Sequence, residues 1–392
     1  MTKEQVWQWI DENGETIRSA ATAIGQNPEL GFAEFKASAL LAAQLKDAGY
    51  AVTVGVGSLP TAFRAVKGSG SPNIALLCEY DALPEIGHAC GHNLIGAASV
   101  GAALGLAKAL EAVGGTVTVL GAPGEETGGG KTILVKEGAL AGIDAAMMFH
   151  PASENILMST SNALDAFEFT FSGRTAHAAG SPDKGINALD GVIQLFNGVN
   201  ALRQMVKESV RIHGVITEGG KAANIIPDRA VAQFYVRAPQ REYLDKVVAR
   251  VLDIARGAAL MTETEVTWTD FEYSNDNMVP NAALATAWAG NLKALGVSHW
   301  IEQRDGKGSS DMGNVSQVVP SLHPYLSVGH GLVGHTTQFA DACLAEQGLD
   351  TAVLAAKVLA GTVFDLLTEP AMLQKAKQEF NNHLQAFGNA AQ

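Results

Sequence analysis

Cysteine is scarce in this sequence, with Cys78, Cys90 and Cys343 the only three in 392 residues. Three thiols cannot staple a chain of this length. A disulfide framework is therefore excluded, and each cysteine is expected to be free or a metal ligand in a reducing compartment, the cytoplasm. Positive charge is also in short supply. Lys and Arg number 27 against 40 Asp and Glu, and the formal net charge of −13 gives no long-range attraction to nucleic acid or to an anionic membrane. Long apolar runs are missing as well. The most apolar stretch, Leu94 to Ala107, is stopped by Lys108 well short of the roughly 20 residues a membrane span needs, and reads as a buried core helix. Met1 to Ser19 carries Lys3, Glu4, Asp11, Glu12, Glu15 and Arg18 where a secretory signal would be apolar. What is present, 47% hydrophobic and 17% charged residues, describes a globular chain long enough for two cores.

Along the first 160 residues, helical spacing alternates with short apolar runs bounded by Gly, Pro or Asn, the punctuation of an α/β fold. The spacing predicts helices over 6–23 and 34–48, and strands over 62–66, 73–78, 116–121 and 145–149 sharing one sheet. The pattern then changes. The stretch DAFEFTFS (165–172) alternates almost strictly, and it is followed by a helix over 187–202, strands over 210–218 and 230–237, a helix over 243–258 and a strand over 263–273. That β-α-β-β-α-β order makes a self-sufficient α+β sandwich of one sheet and two helices. Residues 163–273 are accordingly expected as an insertion into a domain formed by 1–162 and 274–392. Helices over 282–295 and 351–367 complete that domain, and the polar tail after Ala371 reads as a surface helix that frays at its end.

Several familiar motifs fail. In ETGGGKT (126–132) the position five before Gly130, where a phosphate-binding loop needs glycine, is Glu125. The sequence has no nucleophile elbow around Ser99 or Ser309, no H-E-x-x-H and no C-x-x-C.

Four clusters at strand ends carry the chemistry instead. Residues 78–93, CEYDALPEIGHACGHN, crowd Cys78, Glu79, Asp81, His88, Cys90 and His92 into one loop. Cys90 and His92 can share an ion because Gly91 lets the backbone turn tightly between them; as a core thiol and a helix cap they would need none. In APGEE (122–126), Glu125 and Glu126 follow an apolar strand, where two adjacent carboxylates are costly unless a cation compensates or the loop is exposed. His150 closes the run AAMMFHP, and His335 lies in GLVGHTTQF. Each histidine alone is an ordinary residue. Their joint position at the ends of strands is where α/β sheets carry their sites.

With NPELGFAEFKAS (27–38), GRTAHAAGSPDKGINALDG (173–191), GGKAANIIPD (219–228) and GHTTQF (334–339), these segments resemble the M20 metallopeptidase and amidohydrolase family. Within it they are similar to subfamily D, in the branch of the aminobenzoyl-glutamate hydrolases. The resemblance runs from residue 27 to about 340. It implies a zinc-peptidase-like catalytic domain with a central mixed sheet flanked by helices, and an inserted ferredoxin-like lid through which two copies form a homodimer. It also implies two divalent ions per chain, Zn or Mn first and Co or Ni as alternatives, held by Cys90, His92, Glu126, His150 and His335. Glu125 would be the general base, Asp81 the carboxylate orienting an imidazole, His177 a catalytic group reaching a neighbouring subunit's site, and Asn224 a substrate-binding residue. Where many members have Asp after C-G-H, this chain has Asn93. Arg237 can be read equally as a carboxylate-binding cation or as a surface arginine. The implied reaction is attack of activated water on the amide of a small N-acyl amino acid, aminobenzoyl-glutamate-like compound or dipeptide. Deamination of an aromatic amine and a non-catalytic partner subunit are the alternatives.

Overall fold

The computed structural model describes residues 1–388. Its contacts divide into two units, one of Met1–Thr160, Met278–Gly306 and the chain from Ser310 onward, the other of Ser161–Asn277 with Lys307–Ser309. The second unit thus includes a short returning segment, 307–309, far from it in sequence.

Fourteen strands are defined among the described residues: β1 (Ala51–Val56), β2 (Leu59–Ser69), β3 (Asn73–Cys78), β4 (Gly115–Gly121), β5 (Ala145–Met147), β6 (His150–Ala152), β7 (Ile156–Ser159), β8 (Ala163–Ser172), β9 (Arg211–Glu218), β10 (Arg229–Ala238), β11 (Glu265–Asp270), β12 (Ile301–Arg304), β13 (Ser321–Leu322) and β14 (Tyr325–Ser327). The first unit holds a six-stranded mixed sheet in the order β1-β2-β4-β3-β5-β13. Its centre is parallel, with β3 between β4 and β5, and its edge is the antiparallel run β1-β2-β4. NIALLC and GTVTVLG form those central strands because they are apolar on both faces, and both faces are covered. The helix His92–Leu106 is buried on every side apart from Leu104, as a helix without a polar face must be. Beside it runs Glu346–Thr368, among the described residues the one helix long and apolar enough to cross a membrane. Since 78% of its apolar window is buried within the protein, it is a core helix. A smaller sheet, β12-β7-β14-β6, completes the unit.

Two local expectations are corrected, and one strand had not been expected. The helix expected over 6–23 is two, Lys3–Glu12 and Gly14–Gln26, broken at Asn13, whose side chain donates back to the Trp9 carbonyl at 2.8 Å. An Asn-Gly pair supplies both a competing hydrogen bond and a weak helix former. Strand β1 carries no sequence signal because it is a largely exposed edge interrupted by Gly55. The tail helix Pro370–Gly388 is more than a surface element. Leu373 and Ala376 are buried, and Glu379 accepts the backbone N–H groups of Ala282 and Ala283, capping the helix Ala282–Ala294. The expected frayed end beyond residue 388 lies outside the described residues.

The second unit is an antiparallel sheet in the order β11-β8-β10-β9, packed against the helices Ala188–Leu202 and Arg241–Thr262. Strands β8 and β10 pair along ten residues, and Phe167, Phe169, Phe171, Phe234 and Val236 turn inward to form the core. This is the ferredoxin-like arrangement that the β-α-β-β-α-β order requires.

Candidate metal centre

The first unit brings its strand-end clusters together at the carboxyl ends of its parallel strands. After β3 the chain passes Glu79 and Asp81, folds into a loop, and re-enters through Cys90, Gly91 and His92 at the head of the buried helix. Gly91 sits at φ 79°, and a Cβ there would stand 2.4 Å from the Pro151 ring, so no other residue permits this approach. After β4, Pro123 and Gly124 lead into a single helical turn, Glu125–Gly128. Gly124, at φ 66°, donates its N–H to Glu34 Oε1 at 2.8 Å, while Glu34 Oε2 accepts the Thr61 hydroxyl at 2.8 Å. His150 opens β6. His335 arrives from far along the chain because its N–H donates to the Ala89 carbonyl at 2.9 Å, with its own backbone in the left-handed region at φ 61°.

Six side chains converge in three overlapping groups: Cys90, His92 and His150; Cys90, Glu126 and His335; His92, Glu125 and Glu126. Within each group the donor atoms lie within 4.8 Å of one another. His150 Nε2 is 3.3 Å from Cys90 Sγ, and His335 Nε2 is 3.3 Å from Glu126 Oε1. The far nitrogens are already committed: His150 Nδ1 faces the Pro151 carbonyl at 2.7 Å, and His92 Nδ1 stands 2.9 Å from Asp81 Oδ1. Asp81 Oδ2 accepts the Glu126 N–H at 3.0 Å, so one carboxylate ties two members of the centre. His92 Nε2 and Glu126 Oε1, 3.9 Å apart, are buried and make no hydrogen bond of good geometry, with Glu79 Oε2 3.4 Å from the first and His335 Nε2 3.3 Å from the second. Orphaned donor atoms of this kind cost about 1 to 3 kcal/mol each, and a divalent cation satisfies both at once. The donor set of one thiolate, three imidazoles and carboxylates therefore fits a metal.

Electrostatics agree. Burial pushes the Glu125 carboxyl well up, and Glu79, Asp311 and Glu126 add to it against Lys131. Burial acts upward on Glu126 too, but His335, His92 and Cys90 outweigh it and hold the carboxyl below its usual range. Burial opposes charge on His92, yet Asp81, Cys90 and Glu79 together raise its proton affinity, so the cluster attracts positive charge. Adjacent strand-end residues are expected to point to opposite sides of a strand, but Glu125 and Glu126 do not diverge. They lie on a helical turn, about 100° apart around its axis, and both face the same centre.

Not every candidate in the 78–93 loop joins. Cys78 Sγ lies against the Gly96 carbonyl at 3.6 Å, and His88 belongs to none of the three groups. Asn93 points the other way, donating to the Ala21 and Cys343 carbonyls, so its amide serves the helix packing behind the centre. His177 and Asn224 are neighbours within the second unit, where the Ala178 N–H donates to the Asn224 carbonyl at 3.0 Å. The N–H groups of Ala179 and Gly180 converge on Nδ1 of the exposed His177 ring at 3.2 and 3.0 Å. Arg237, in the same unit, donates to Ser309 Oγ at 2.9 Å.

The residues that sequence reasoning missed stand behind the centre. Lys131, 1% exposed, is clasped by Glu79 and Asp311, with Nζ 2.5 Å from Asp311 Oδ1 and hydrogen-bonded to Glu79 Oε1. Its backbone N–H also donates to Asp311 Oδ2 at 2.8 Å. Glu79 Oε2 then stands 3.4 Å from His92 Nε2. The one signal was a lysine among apolar residues after three glycines, which a surface helix explains as readily.

Residues 161–263 match the peptidase dimerisation domain of the M20 family. The chain is similar to the Xaa-Arg dipeptidase of Mus musculus, with 37% identity across 98% of this chain and 93% of that protein. It is also similar to one of the subunits of the p-aminobenzoyl-glutamate hydrolase of Escherichia coli, with 32% identity across 96% and 95%. Among solved structures, its fold matches a Bacillus subtilis protein described as a dinuclear metal binding peptidase, at a TM-score of 0.67 and 20% identity over 90% of this chain and 98% of that one.

Proposed function

We propose, from the premise that this chain belongs to the M20 family of metal-dependent peptidases and amidohydrolases, that it is a subfamily D hydrolase of small amides. Its substrates are dipeptides, N-acyl amino acids or aminobenzoyl-glutamate-like compounds, the chemistry that its relatives' names carry. The observation that supports this best is the convergence of Cys90, His92, Glu126, His150 and His335 around orphaned donor atoms, with Glu125 beside them. The five would hold two divalent ions, Zn suiting the thiolate and imidazoles, Mn, Co or Ni the carboxylates. When bound there, such ions would supply the acidity that makes a water nucleophilic near neutral pH and the positive charge that polarises a carbonyl.

The chain's own groups do the rest. Asp81 fixes the His92 ring so that Nε2 faces inward, and the same carboxylate holds the Glu126 backbone. Glu125, whose proton affinity is raised by burial, accepts the proton of the attacking water and returns it to the leaving nitrogen, a service worth roughly 10² to 10⁴ in rate. The second unit serves as lid and dimerisation module of a homodimer, offering His177 to the carbonyl oxygen in the neighbouring subunit and Asn224 to the substrate. The three cysteines, all free, suit the cytoplasm. Glu125→Gln tests the reading. Turnover of any dipeptide or N-acyl amino acid cleaved by the native protein is expected to fall about 10²- to 10⁴-fold with metal content unchanged, and a fully active variant refutes the role.

A further inference from the structure

The turn Glu125–Gly128 is too short to stand by its own hydrogen bonds, because a first helical turn fixes several residues for a single closed ring. Something else must hold it. The segment 29–34, between the helices Gly14–Gln26 and Phe35–Asp47, is built to do so, although none of its side chains joins the centre itself. It is anchored first. The Glu29 carbonyl accepts the Ala82 N–H at 2.8 Å, one residue past Asp81, and the Glu29 carboxylate accepts the N–H groups of Lys36 and Ala37, each at 2.9 Å. Leu30 bridges to Ala82 as well.

Fixed in this way, the segment meets the turn at three points. Gly31 lies so close to the Thr127 hydroxyl that no Cβ fits between them, and the Phe32 ring spans Gly124 and Gly128, where an added Cβ would meet it at 2.8 and 2.5 Å. The ring also packs on the small apolar cluster of Leu59, Ala62, Ala122 and Ile133. Phe32 itself sits at φ 65°, in the left-handed region that such a residue keeps only where its surroundings over-determine it. Glu34 completes the grip. Fully buried, it accepts the Gly124 N–H on Oε1 and the Thr61 hydroxyl on Oε2, which ties the turn to β2. Asp81 holds the same turn by the N–H of Glu126. Glu125 lies between these two fixed points.

We propose that Phe32 and Glu34 are positioning residues for the hydrolysis, a clamp that fixes the turn carrying Glu125 and Glu126 so that base and ligand keep their mutual place. The inference rests on the amide-hydrolase reading, and one of its readouts is independent of turnover. In the zinc-loaded full chain, acting on whichever dipeptide or N-acyl amino acid the native protein cleaves, Glu34→Ala is expected to lower kcat about 10- to 100-fold. That is the loss that a displacement of about 1 Å produces, and KM is expected to move less than about threefold. Zinc affinity, read by competition with a chelating dye, is expected to fall about tenfold, because Glu126 rides on the same turn. Glu34→Gln, which can still accept the Gly124 N–H and meet Thr61, is expected to restore both to within about threefold. Phe32→Leu, which keeps apolar contact but not the breadth of the ring, is expected to lower kcat about tenfold, and it carries the test if Glu34→Ala does not fold. A folded Glu34→Ala or Phe32→Leu chain with native kcat and zinc affinity overturns the clamp, as does a loss that Glu34→Gln leaves in place. Native protein that cleaves none of these compounds, with zinc affinity still lost in Glu34→Ala and regained in Glu34→Gln, would instead strike the hydrolase reading and leave the clamp standing.

Discussion

Two flanks of the same buried cluster solve the problem of buried charge in opposite ways. On one, Lys131 is enclosed by Glu79 and Asp311, and each ion has its counter-ion within the chain. On the other, Cys90, His92, Glu126, His150 and His335 crowd together, and His92 Nε2 and Glu126 Oε1 make no hydrogen bond despite ion-pair contacts to Glu79 and His335. The first arrangement has its cation within the chain, shared between two carboxylates, and holds structure. The second gathers ligand-type atoms that a cation would complete, which is the physical mark of a candidate ligand site as distinct from a buried salt bridge.

The largest effect that separates the flanks is on stability without metal. Lys131→Met strands two buried carboxylates and is expected to cost about 3 to 5 kcal/mol in urea unfolding of the metal-free protein. Cys90→Ala, which removes a group with no charge partner to strand, is expected to cost far less there, and to forfeit instead the stabilisation that zinc gives the native chain. Equal losses in the two metal-free variants would erase the distinction. Next comes Asp81→Asn, which keeps the shape but weakens the anchor on His92 Nδ1. Metal affinity is expected to fall about 10- to 100-fold by competition with a chelating dye, and unchanged affinity would show that the ring is held by packing alone.

The smallest effect is one of slope. Burial pushes the Glu34 carboxyl up to about 7 from its ordinary 4.5. A folded-state value above the unfolded one means the folded chain holds more protons between those two pH values. This contribution to stability is therefore fully present below about pH 4.5 and is lost as pH rises through 7. Glu34→Gln can keep the contacts to Gly124 and Thr61, and is expected to flatten that part of the profile. A parallel profile in the variant would assign the slope to other groups.

How much of this was legible in the sequence follows the same division. The candidate ligands were legible by residue type, because Cys90, His92, Glu126 and His150 sit at the ends of apolar strands or the loops after them, and that position is readable from the run before each. The central strands of both main sheets followed from residue patterning: NIALLC and GTVTVLG are nearly all apolar, and DAFEFTFS alternates. The helical turn under Glu125 and Glu126 was hidden, since four residues after a Pro-Gly pair have no period to read. Lys131 was hidden for another reason. Its partners are 52 and 180 residues away, and a buried ion triad leaves no local pattern. His335 could be proposed but not located, because what brings it in is a backbone hydrogen bond to Ala89 and a left-handed φ that its residue type does not advertise.

The most direct test of the central claim counts metal. The protein stripped by chelation, dialysed against zinc or manganese and measured by elemental analysis, is expected to retain two ions per chain, to hydrolyse its amide only when they are present, and to retain fewer than two in Cys90→Ala or His150→Ala. A stripped chain that cleaves its substrate at the native rate, or the same metal content in those variants as in the native chain, would contradict it.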